Sequence, residues 1–292
     1  MIISASRRTD IPAFYAEWLI NRIRAGYCTV PNPANPKTIS AVSLNPEDVD
    51  CIVFWTRNAK PLINKLPELD RRGFRYYFQY TILGNPRILD PKSPSIEPSV
   101  ETFKSLADDL GPDRVVWRYD PIVITNQSPA RRHLEKISHI ASSLRGYTKR
   151  LVISLLDTYQ HTEGRMRSLE AEGLHVSRLE GKRFDRLIKS IVEIAKANGM
   201  EILSCAEESG LDRLGVAPGK CIDDQLIEKV FKIAVTHKKD PHQRPACGCV
   251  ISKDIGIYDT CPFLCVYCYA TRNPASAKRS FLKHNPQSSS LI

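Results

Sequence analysis

Short hydrophobic runs rich in β-branched and aromatic residues alternate along the chain with longer segments whose apolar residues recur at helical spacing. This alternation is typical of a fold in which helices connect parallel strands. The strands are predicted near Ile2–Ala5, Cys51–Trp55, Phe74–Thr81, Val115–Tyr119, Leu151–Leu156 and Glu201–Ser204, with Thr38–Leu44 as a further candidate. The helices are predicted near Pro12–Ala25, Pro61–Arg72, Ser99–Leu110, Pro129–Leu144, Arg178–Ala197 and Asp224–Thr236. Strand–helix units therefore follow one another along the chain.

These units favour a barrel over a dinucleotide-binding sheet, because no Gly-x-Gly-x-x-Gly follows the first predicted strand. The predicted fold class is α/β, with a (β/α) barrel or a partial TIM-like barrel. We expect the barrel core to span residues 1–245 and a cysteine-rich segment packed on it to span residues 246–275. Residues 276–292 combine basic residues with serines, which predicts a basic, flexible tail.

Polar and charged residues follow five of the predicted strands at the point where each strand ends. Groups at the carboxyl ends of barrel strands meet at one rim, which predicts a shared site for these residues. The alternative is that they are ordinary polar residues that end strands. The clusters are Ser6–Asp10, Thr56–Asn58, Arg118–Asp120, Asp157–Tyr159 and Cys205–Glu208. Arginine suits the recognition of carboxylate or phosphate. The candidates for catalytic or substrate-binding groups are Arg7, Arg8, Asp10, Arg57, Arg118 and Asp120.

Basic residues outnumber acidic residues by 42 to 32, which gives a formal net charge of +10. Because the basic residues are spread along the chain, this excess fits either a nucleic-acid or phosphorylated partner or a solvated basic surface. No apolar run approaches the roughly 20 residues that span a bilayer, and the N-terminus lacks the apolar region of a secretory signal. We therefore expect a cytoplasmic protein without a membrane partner.

Nine cysteines are present, and seven of them fall in the last third of the chain. A disulfide framework is not expected in a reducing compartment, so this clustering indicates metal binding. Cys28 and Cys51 stand apart from the others and are predicted to be buried as small hydrophobic residues.

Three of these cysteines, Cys261, Cys265 and Cys268, have the spacing C-x₃-C-x₂-C and are called the cysteine triplet below. Three thiolates on one loop can hold three irons of a [4Fe–4S] cluster and leave the fourth iron open. An open iron can chelate S-adenosylmethionine. The alternative is a structural zinc site, but zinc prefers four protein ligands in paired arrangements. We therefore expect the triplet to bind an iron–sulfur cluster.

Four further cysteines form a second set, called the cysteine quartet below, which consists of Cys205, Cys221, Cys247 and Cys249. Four thiolates would fill a closed site. This site is either an auxiliary [4Fe–4S] cluster, which relays electrons or anchors the C-terminal segment, or a zinc site. A zinc site that uses His237 and His242 together with Cys247 and Cys249 is a third alternative.

The segment Asp259–Ala270, which contains the triplet, resembles the cluster loop of radical S-adenosylmethionine enzymes, spore photoproduct lyase among them. The chain as a whole resembles an uncharacterised bacterial family, known as a domain of unknown function with such a cysteine cluster at its C-terminus. The matching segments are Ser6–Pro12, Phe54–Thr56, Trp117–Pro121, Cys247–Cys249 and Asp254–Asp259.

The resemblance implies reductive cleavage of S-adenosylmethionine to a 5′-deoxyadenosyl radical, with electrons from an external donor of flavodoxin or ferredoxin type. Tyr267 and Tyr269 are the implied contacts of the adenosine. The usual Gly-Gly-Glu methionine-binding strand is missing, and Glu207 or Glu208 is a candidate for its role, although acids at the start of a helix are common. The implied substrate is a nucleic acid or a small anion.

The position of the triplet departs from that superfamily, in which the cluster loop follows the first barrel strand. A circularly permuted barrel, with Val250–Tyr258 supplying the strand before the loop, would explain the departure. The alternative function is a non-catalytic zinc or iron–sulfur protein that binds nucleic acid through its basic surface.

Overall fold

Eight parallel strands form the central sheet within residues 1–157, 159–207 and 210–292, which are the residues described by the computed structural model. The strands of the chain are β1 (Ile2–Ala5), β2 (Tyr27–Pro31), β3 (Ile39–Ser43), β4 (Cys51–Thr56), β5 (Tyr76–Thr81), β6 (Val115–Ile122), β7 (Arg150–Leu155), β8 (Glu201–Cys205), β9 (Ala217–Gly219) and β10 (Lys253–Asp254). Of these, β2 and β3 form a separate antiparallel pair.

The helices cover mainly one face of the sheet. They are α1 (Ile11–Phe14), α2 (Ala16–Ala25), α3 (Lys60–Ile63), α4 (Leu66–Arg71), α5 (Ile96–Leu110), α6 (Ala130–Ser143), α7 (Gln160–Ala171), α8 (Gly181–Ala197), α9 (Asp224–Phe231) and α10 (Pro274–Lys283). A short 3₁₀ helix spans Leu211–Leu214. Within the described ranges, every helix is too short or too polar to span a bilayer.

The strand order in the sheet is β10-β1-β4-β5-β6-β7-β8-β9. From β1 to β9, each strand of this sheet therefore lies beside the sheet strand that follows it in the sequence. The exception is β10, the last strand, which pairs with β1 at one edge through the register Ile3↔Lys253. The predicted α/β class is confirmed, and β10 lies within the strand predicted at Val250–Tyr258. Closure of the sheet into a barrel stays a prediction, as does the circular permutation.

The six predicted strands and the candidate strand at Thr38–Leu44 are confirmed within one or two residues, apart from the longer β6. The helix predicted at Pro12–Ala25 is divided into α1 and α2, and the helix predicted at Pro61–Arg72 is divided into α3 and α4. Helices α7 and α10 and strands β2 and β9 were not expected from the sequence.

Two hydrophobic cores lie on opposite faces of the sheet, because neighbouring residues of a strand point to opposite faces. In β4, Ile52 and Phe54 belong to the larger, helix-side core, whereas Cys51 and Val53 belong to a smaller second core. The second core is covered by the segment of residues 221–250, which includes α9. This segment therefore covers the face of the sheet that the other helices leave open.

Residues 276–292, for which a flexible tail is expected, include most of α10 and a segment that contacts Trp18. Helix α10 begins at an Asn273 cap whose side chain accepts hydrogen bonds from the amides of Ala275 and Ser276. The indole nitrogen of Trp18 donates to the carbonyl oxygens of Ser288 and Ser290, at 3.0 and 3.1 Å. Leu291 is fully buried. Hydrogen bonds to a buried indole and the burial of one leucine thus fix a segment whose composition suggests disorder.

Candidate functional site

A cavity of about 420 Å³ opens at the carboxyl ends of the sheet strands. It is lined by residues at or directly after the ends of β1, β4, β7 and β8 and by both sets of cysteines. Arg118 and Asp120, predicted to follow a strand, line it from within the longer β6. The predicted site residues on its wall are Arg7, Arg8, Asp10, Arg57, Arg118, Asp120, Tyr267, Tyr269, the cysteine triplet and the cysteine quartet. The structure therefore brings together nearly all of the candidates.

The two glutamates proposed for methionine binding are the exception. The Glu207 carboxylate accepts a hydrogen bond of 2.7 Å from the amide of Leu155, which itself lines the cavity. Glu208 lies outside the described residues, as does Thr158 of the Asp157–Tyr159 cluster.

The triplet reaches the cavity from the helix-side core, to which Cys265 and Tyr267 belong. Burial raises the pKa of Cys261 to about 12, although its sulfur accepts hydrogen bonds from the amides of Phe263 and Asp10. Burial also raises the pKa of Cys265, while the Arg57 charge lowers it. Three thiols on one loop, with amide donors aimed at one sulfur, are the kind of donor set that an iron–sulfur cluster takes.

A buried hydrogen-bonded group holds the triplet loop in place. Nη2 of Arg57 donates to the Tyr267 hydroxyl at 2.6 Å, and Nη1 of Arg57 donates to Asp90 at 3.1 Å. The Tyr267 hydroxyl donates to Asp90 at 2.8 Å. Arg57 and Tyr267, expected at the substrate and at the adenosine, thus direct their polar atoms into the protein and fix the loop.

Asp10 connects the first strand to its neighbour. Its carboxylate accepts hydrogen bonds from the Thr56 hydroxyl at 2.8 Å, the Arg57 amide at 2.7 Å and the Ala13 amide at 2.9 Å, the last as the cap of α1. Burial raises the pKa of Asp10 to about 7. Asp10 therefore organises the wall around Cys261.

Arg7 and Arg8 are positioned by the last strand of the sheet. The Arg7 amide donates to the Asp254 carboxylate at 2.9 Å, and the Arg7 guanidinium lies 5.6 Å from the centre of the Trp55 ring. Nη2 of Arg7 is buried and has no hydrogen-bond partner among the described residues. The Arg8 guanidinium lies 5.2 Å from the Tyr258 ring and donates to the Gly256 carbonyl. Arg7 therefore keeps one donor for a ligand.

Arg118 connects the substrate-site candidates to the quartet. Its Nη1 donates to the sulfur of Cys221 at 2.6 Å, its Nη2 pairs with Asp120, and its guanidinium stacks 4.9 Å from the Trp55 ring centre. The Ser154 hydroxyl donates to Asp120. Arg118 is thus shared between one carboxylate and one sulfur.

Two thiols of the quartet are in direct contact, because Cys221 donates to Cys205 over 3.2 Å. Cys249 lies close enough to Cys221 and Cys247 for the thiols to influence one another's pKa values. The hydrogen bond from Cys221 lowers the pKa of Cys205, and contacts with Cys221 and Cys247 lower the pKa of Cys249. The pKa values of Cys221 and Cys247 are raised in turn by these contacts, so a negative charge in the quartet is favoured on Cys205 and Cys249.

No group of three or more His, Cys, Asp and Glu side chains in the described ranges is arranged to hold a metal ion. Nδ1 of His237, considered above as a zinc ligand, donates to the Asp224 carboxylate at 2.6 Å, and His242 lines the cavity. Cys28 and Cys51 are buried in hydrophobic surroundings, as predicted.

Three residues of the site were not named as site residues from the sequence. The ring of Tyr159 lies 5.6 Å from that of Tyr269 at an angle of 38°, and both line the cavity. Arg165, on the unexpected helix α7, donates to the Cys268 carbonyl at 3.0 Å. Asp90 lies in a proline-rich loop and follows no strand. Tyr159 belongs to a cluster that the strand-end rule indicated, whereas the other two carry no signal in the local sequence.

Comparison with known proteins gives one match. No curated protein and no solved structure matches the chain. One family model matches residues 2–270, which include every strand of the central sheet and the whole of the triplet loop. The chain therefore belongs to the family described as "Domain of unknown function (DUF1848)".

Proposed function

We propose that this protein is a radical S-adenosylmethionine enzyme in which the triplet holds a [4Fe–4S] cluster. The observation that carries the proposal is that three thiols of one loop line the same cavity as charged groups that lie on or directly after β1, β4, β6 and β7. The resemblance of the loop to the cluster loops of that superfamily supports it. Such a cluster, when bound, would chelate S-adenosylmethionine at its open iron and supply the electron that breaks the sulfur–C5′ bond, giving methionine and a 5′-deoxyadenosyl radical.

The chain contributes the positions of the thiols and the charge around them. The buried Arg57–Asp90–Tyr267 group fixes the loop. The amides of Asp10 and Phe263 stabilise negative charge on the sulfur of Cys261. The electron comes from an external one-electron donor of flavodoxin or ferredoxin type.

The proposed contacts with adenosine and with the substrate come from aromatic rings and one unpaired donor on the cavity wall. The neighbouring rings of Tyr159 and Tyr269 offer an aromatic surface for adenosine. The buried Nη2 of Arg7 has no partner among the described residues, so we propose that it binds an anionic group of the substrate. The substrate is then a small anion, or a nucleic acid that places one anionic group in the cavity.

The proposal is tested by anaerobic reconstitution of the whole chain with iron and sulfide. We expect about four irons bound by the triplet and formation of 5′-deoxyadenosine from S-adenosylmethionine after reduction. Cys265→Ala should lose both properties. Cys28→Ala is the matched control, because Cys28 is a buried thiol of the same helix-side core and should retain both.

Absence of iron from the reconstituted wild type, or iron without any 5′-deoxyadenosine, would contradict the proposal. Binding of nucleic acid by a protein that carries only zinc would favour the non-catalytic alternative instead. An equal loss of iron in Cys28→Ala and Cys265→Ala would show that the effect is one of folding.

A further inference from the structure

Two thiols on the cavity wall, Cys205 and Cys221, are in contact although they come from different segments of the chain. Cys205 is the last residue of β8, and Cys221 follows β9. Their sulfur atoms lie 3.2 Å apart, and both residues line the cavity. A disulfide bond joins two sulfurs at about 2.05 Å, so an approach of roughly 1 Å would bring these sulfurs to bonding distance.

The backbone fixes the position of each thiol. Gly219 of β9 pairs with Cys205, and a β-carbon at Gly219 would lie 2.7 Å from a carbonyl oxygen of β8, so the two strands approach closely because this residue has no side chain. The carbonyl oxygen of Cys221 accepts hydrogen bonds from the Tyr77 hydroxyl at 2.7 Å and from the Gln79 side-chain amide at 2.8 Å. The pairing of the strands and these two hydrogen bonds therefore hold the sulfurs together.

The two sulfurs differ in their surroundings. Cys205 is half-buried, whereas Cys221 is only 2% exposed. The Cys221 thiol donates to the sulfur of Cys205, and Nη1 of Arg118 donates to the sulfur of Cys221 at 2.6 Å. A nearby cation stabilises a thiolate, which is the reactive form of cysteine. Cys205 is thus the accessible sulfur, and Cys221 lies behind it.

We propose that Cys205 and Cys221 form a reversible redox pair that hydrogen peroxide closes into a disulfide bond. The proposal is independent of the function proposed for the triplet and requires no metal ion. An accessible thiolate beside a second thiol that can displace oxygen from it is the arrangement of a redox-sensing cysteine pair. Such a disulfide is transient, so it agrees with a chain whose other cysteines stay reduced.

The reaction takes two electrons from the sulfurs and gives them to hydrogen peroxide. The Cys205 thiolate attacks one peroxide oxygen, the O–O bond breaks, and the leaving hydroxide takes up the proton that Cys205 has lost and becomes water. The Cys221 sulfur then attacks the sulfur of the resulting sulfenic acid, the S–O bond breaks, and the leaving hydroxide takes the Cys221 proton to form a second water. A dithiol reductant restores both thiols by thiol–disulfide exchange.

The position of the pair favours a small oxidant. The oxidant has to reach Cys205 through a cavity of about 420 Å³, and Cys221 is buried behind that sulfur. Hydrogen peroxide is hardly larger than water and can enter this space. A disulfide on the surface of another protein cannot bring its sulfur to Cys205 in the same way, because thiol–disulfide exchange needs direct contact of the sulfurs.

Closure of the disulfide would fasten one edge of the sheet. Strand β9 has only three residues, one of them Pro218, and lies at the edge beside β8. A bond between Cys205 and Cys221 would join the end of β8 covalently to the chain that leaves β9. It would also remove an ionisable sulfur from beside the Arg118 guanidinium, which would keep its ion pair with Asp120. The redox state of the pair would therefore act on a residue of the cavity wall.

The test is oxidation of the reduced, full-length chain with hydrogen peroxide, followed by alkylation of the remaining thiols and non-reducing peptide mapping by mass spectrometry. We expect one disulfide, between Cys205 and Cys221, so that two of the nine thiols escape alkylation and return after treatment with dithiothreitol. Amide hydrogen exchange in β9 should be slower in the oxidised chain than in the reduced chain.

Single variants separate the roles of the two sulfurs. Cys221→Ser should stop the reaction at the sulfenic acid of Cys205, which dimedone traps. Cys205→Ser should leave Cys221 reduced at the same peroxide concentration. Cys51→Ser is the matched control and should form the disulfide as the wild type does, because Cys51 is a buried thiol of the same second core. Cys265→Ala, which lacks a thiol of the triplet, should also form it, so that the two proposals succeed or fail separately.

Three results would overturn the proposal. The first is a wild-type chain in which peroxide leaves both thiols free or oxidises Cys205 without forming a disulfide. The second is a disulfide in a different pair, such as Cys247 with Cys249. The third is a purified chain in which Cys205 and Cys221 resist alkylation until a chelator removes a metal ion. If the serine variants do not fold, peptide mapping of the wild type decides alone.

Discussion

The hydroxyl oxygen of Tyr267 lies 2.8 Å from both carboxylate oxygens of Asp90. This contact joins the triplet loop to a loop 177 residues earlier in the chain, and Arg57 donates to both partners. The position of the triplet thus depends on a buried ion pair as well as on the cysteine spacing.

Replacing Asp90 should cost more stability than replacing Tyr267. Asp90→Ala leaves the Arg57 guanidinium buried without its carboxylate, which should lower the free energy of unfolding by about 3–5 kcal/mol. Tyr267→Phe leaves the Arg57–Asp90 ion pair in place and should cost about 1 kcal/mol. Urea unfolding monitored by fluorescence measures both values. Equal losses in the two variants would contradict the central role of the ion pair.

Acid should destabilise the protein through His133. This side chain is fully buried between the Tyr119 hydroxyl and the Val123 carbonyl, and burial lowers its pKa from 6.5 to about 4. Between these two pH values, His133 therefore binds a proton in the unfolded chain but not in the folded chain. Stability should fall by about 3 kcal/mol as the pH drops through this range.

Measurement of unfolding free energy against pH tests this expectation. His133→Gln, which does not titrate, should show a decline between pH 6.5 and 4 that is smaller by about 3 kcal/mol than in the wild type. Parallel curves for the two proteins would show that His133 does not contribute.

The C-terminal segment should contribute measurably to stability. Leu291 is 0% exposed and its neighbour Ile292 is 40% exposed, so the two residues form a matched pair. Leu291→Ala should lower the free energy of unfolding by about 2–3 kcal/mol. Ile292→Ala should change it by less than about 0.5 kcal/mol. Chemical unfolding of the two variants provides the measurement, and a Leu291→Ala protein as stable as the wild type would indicate that the segment does not pack.

Gly256 should not tolerate a side chain. A β-carbon at this position would lie 2.0 Å from the Ser6 hydroxyl oxygen, and Ser6 also donates to the Asp254 carboxylate at 2.6 Å. Gly256→Ala should therefore cost about 1–3 kcal/mol and weaken the pairing of β1 with β10. The control is Gly164→Ala in α7, where a β-carbon meets no atom within 4 Å. This substitution should stabilise the helix by roughly 0.5–1 kcal/mol. Thermal and urea unfolding compare the two variants.

The sequence predicted the strands of the sheet well because their β-branched and aromatic runs are buried on both faces. Strand β9 was missed because Ala217-Pro218-Gly219 has the composition of a turn. Helix α7 was missed because only Thr162 and Leu169 are buried among its mostly polar residues. In both elements, contacts with the rest of the fold override a local pattern that favours another structure.

The candidate site was predicted to a similar extent. Residues at strand ends converge because parallel strands share one carboxyl edge, so the positions of Arg7 and Arg118 were foreseeable. The partners of these residues were not. Nothing in the sequence pairs Asp90 with Tyr267 or directs the Trp18 indole to the last residues of the chain, because such contacts depend on loop geometry.

The pairing of β10 with β1 also has a consequence for the order in which the protein is made. The ribosome releases β1 early, and its edge partner follows about 250 residues later, which corresponds to roughly 12–50 s of translation at about 5–20 residues per second. The other strands of the sheet, from β4 to β9, emerge during this interval. The nascent chain thus exposes the free edge of β1 until β10 has been made, and the triplet loop, which follows β10, can join the cavity wall only after that.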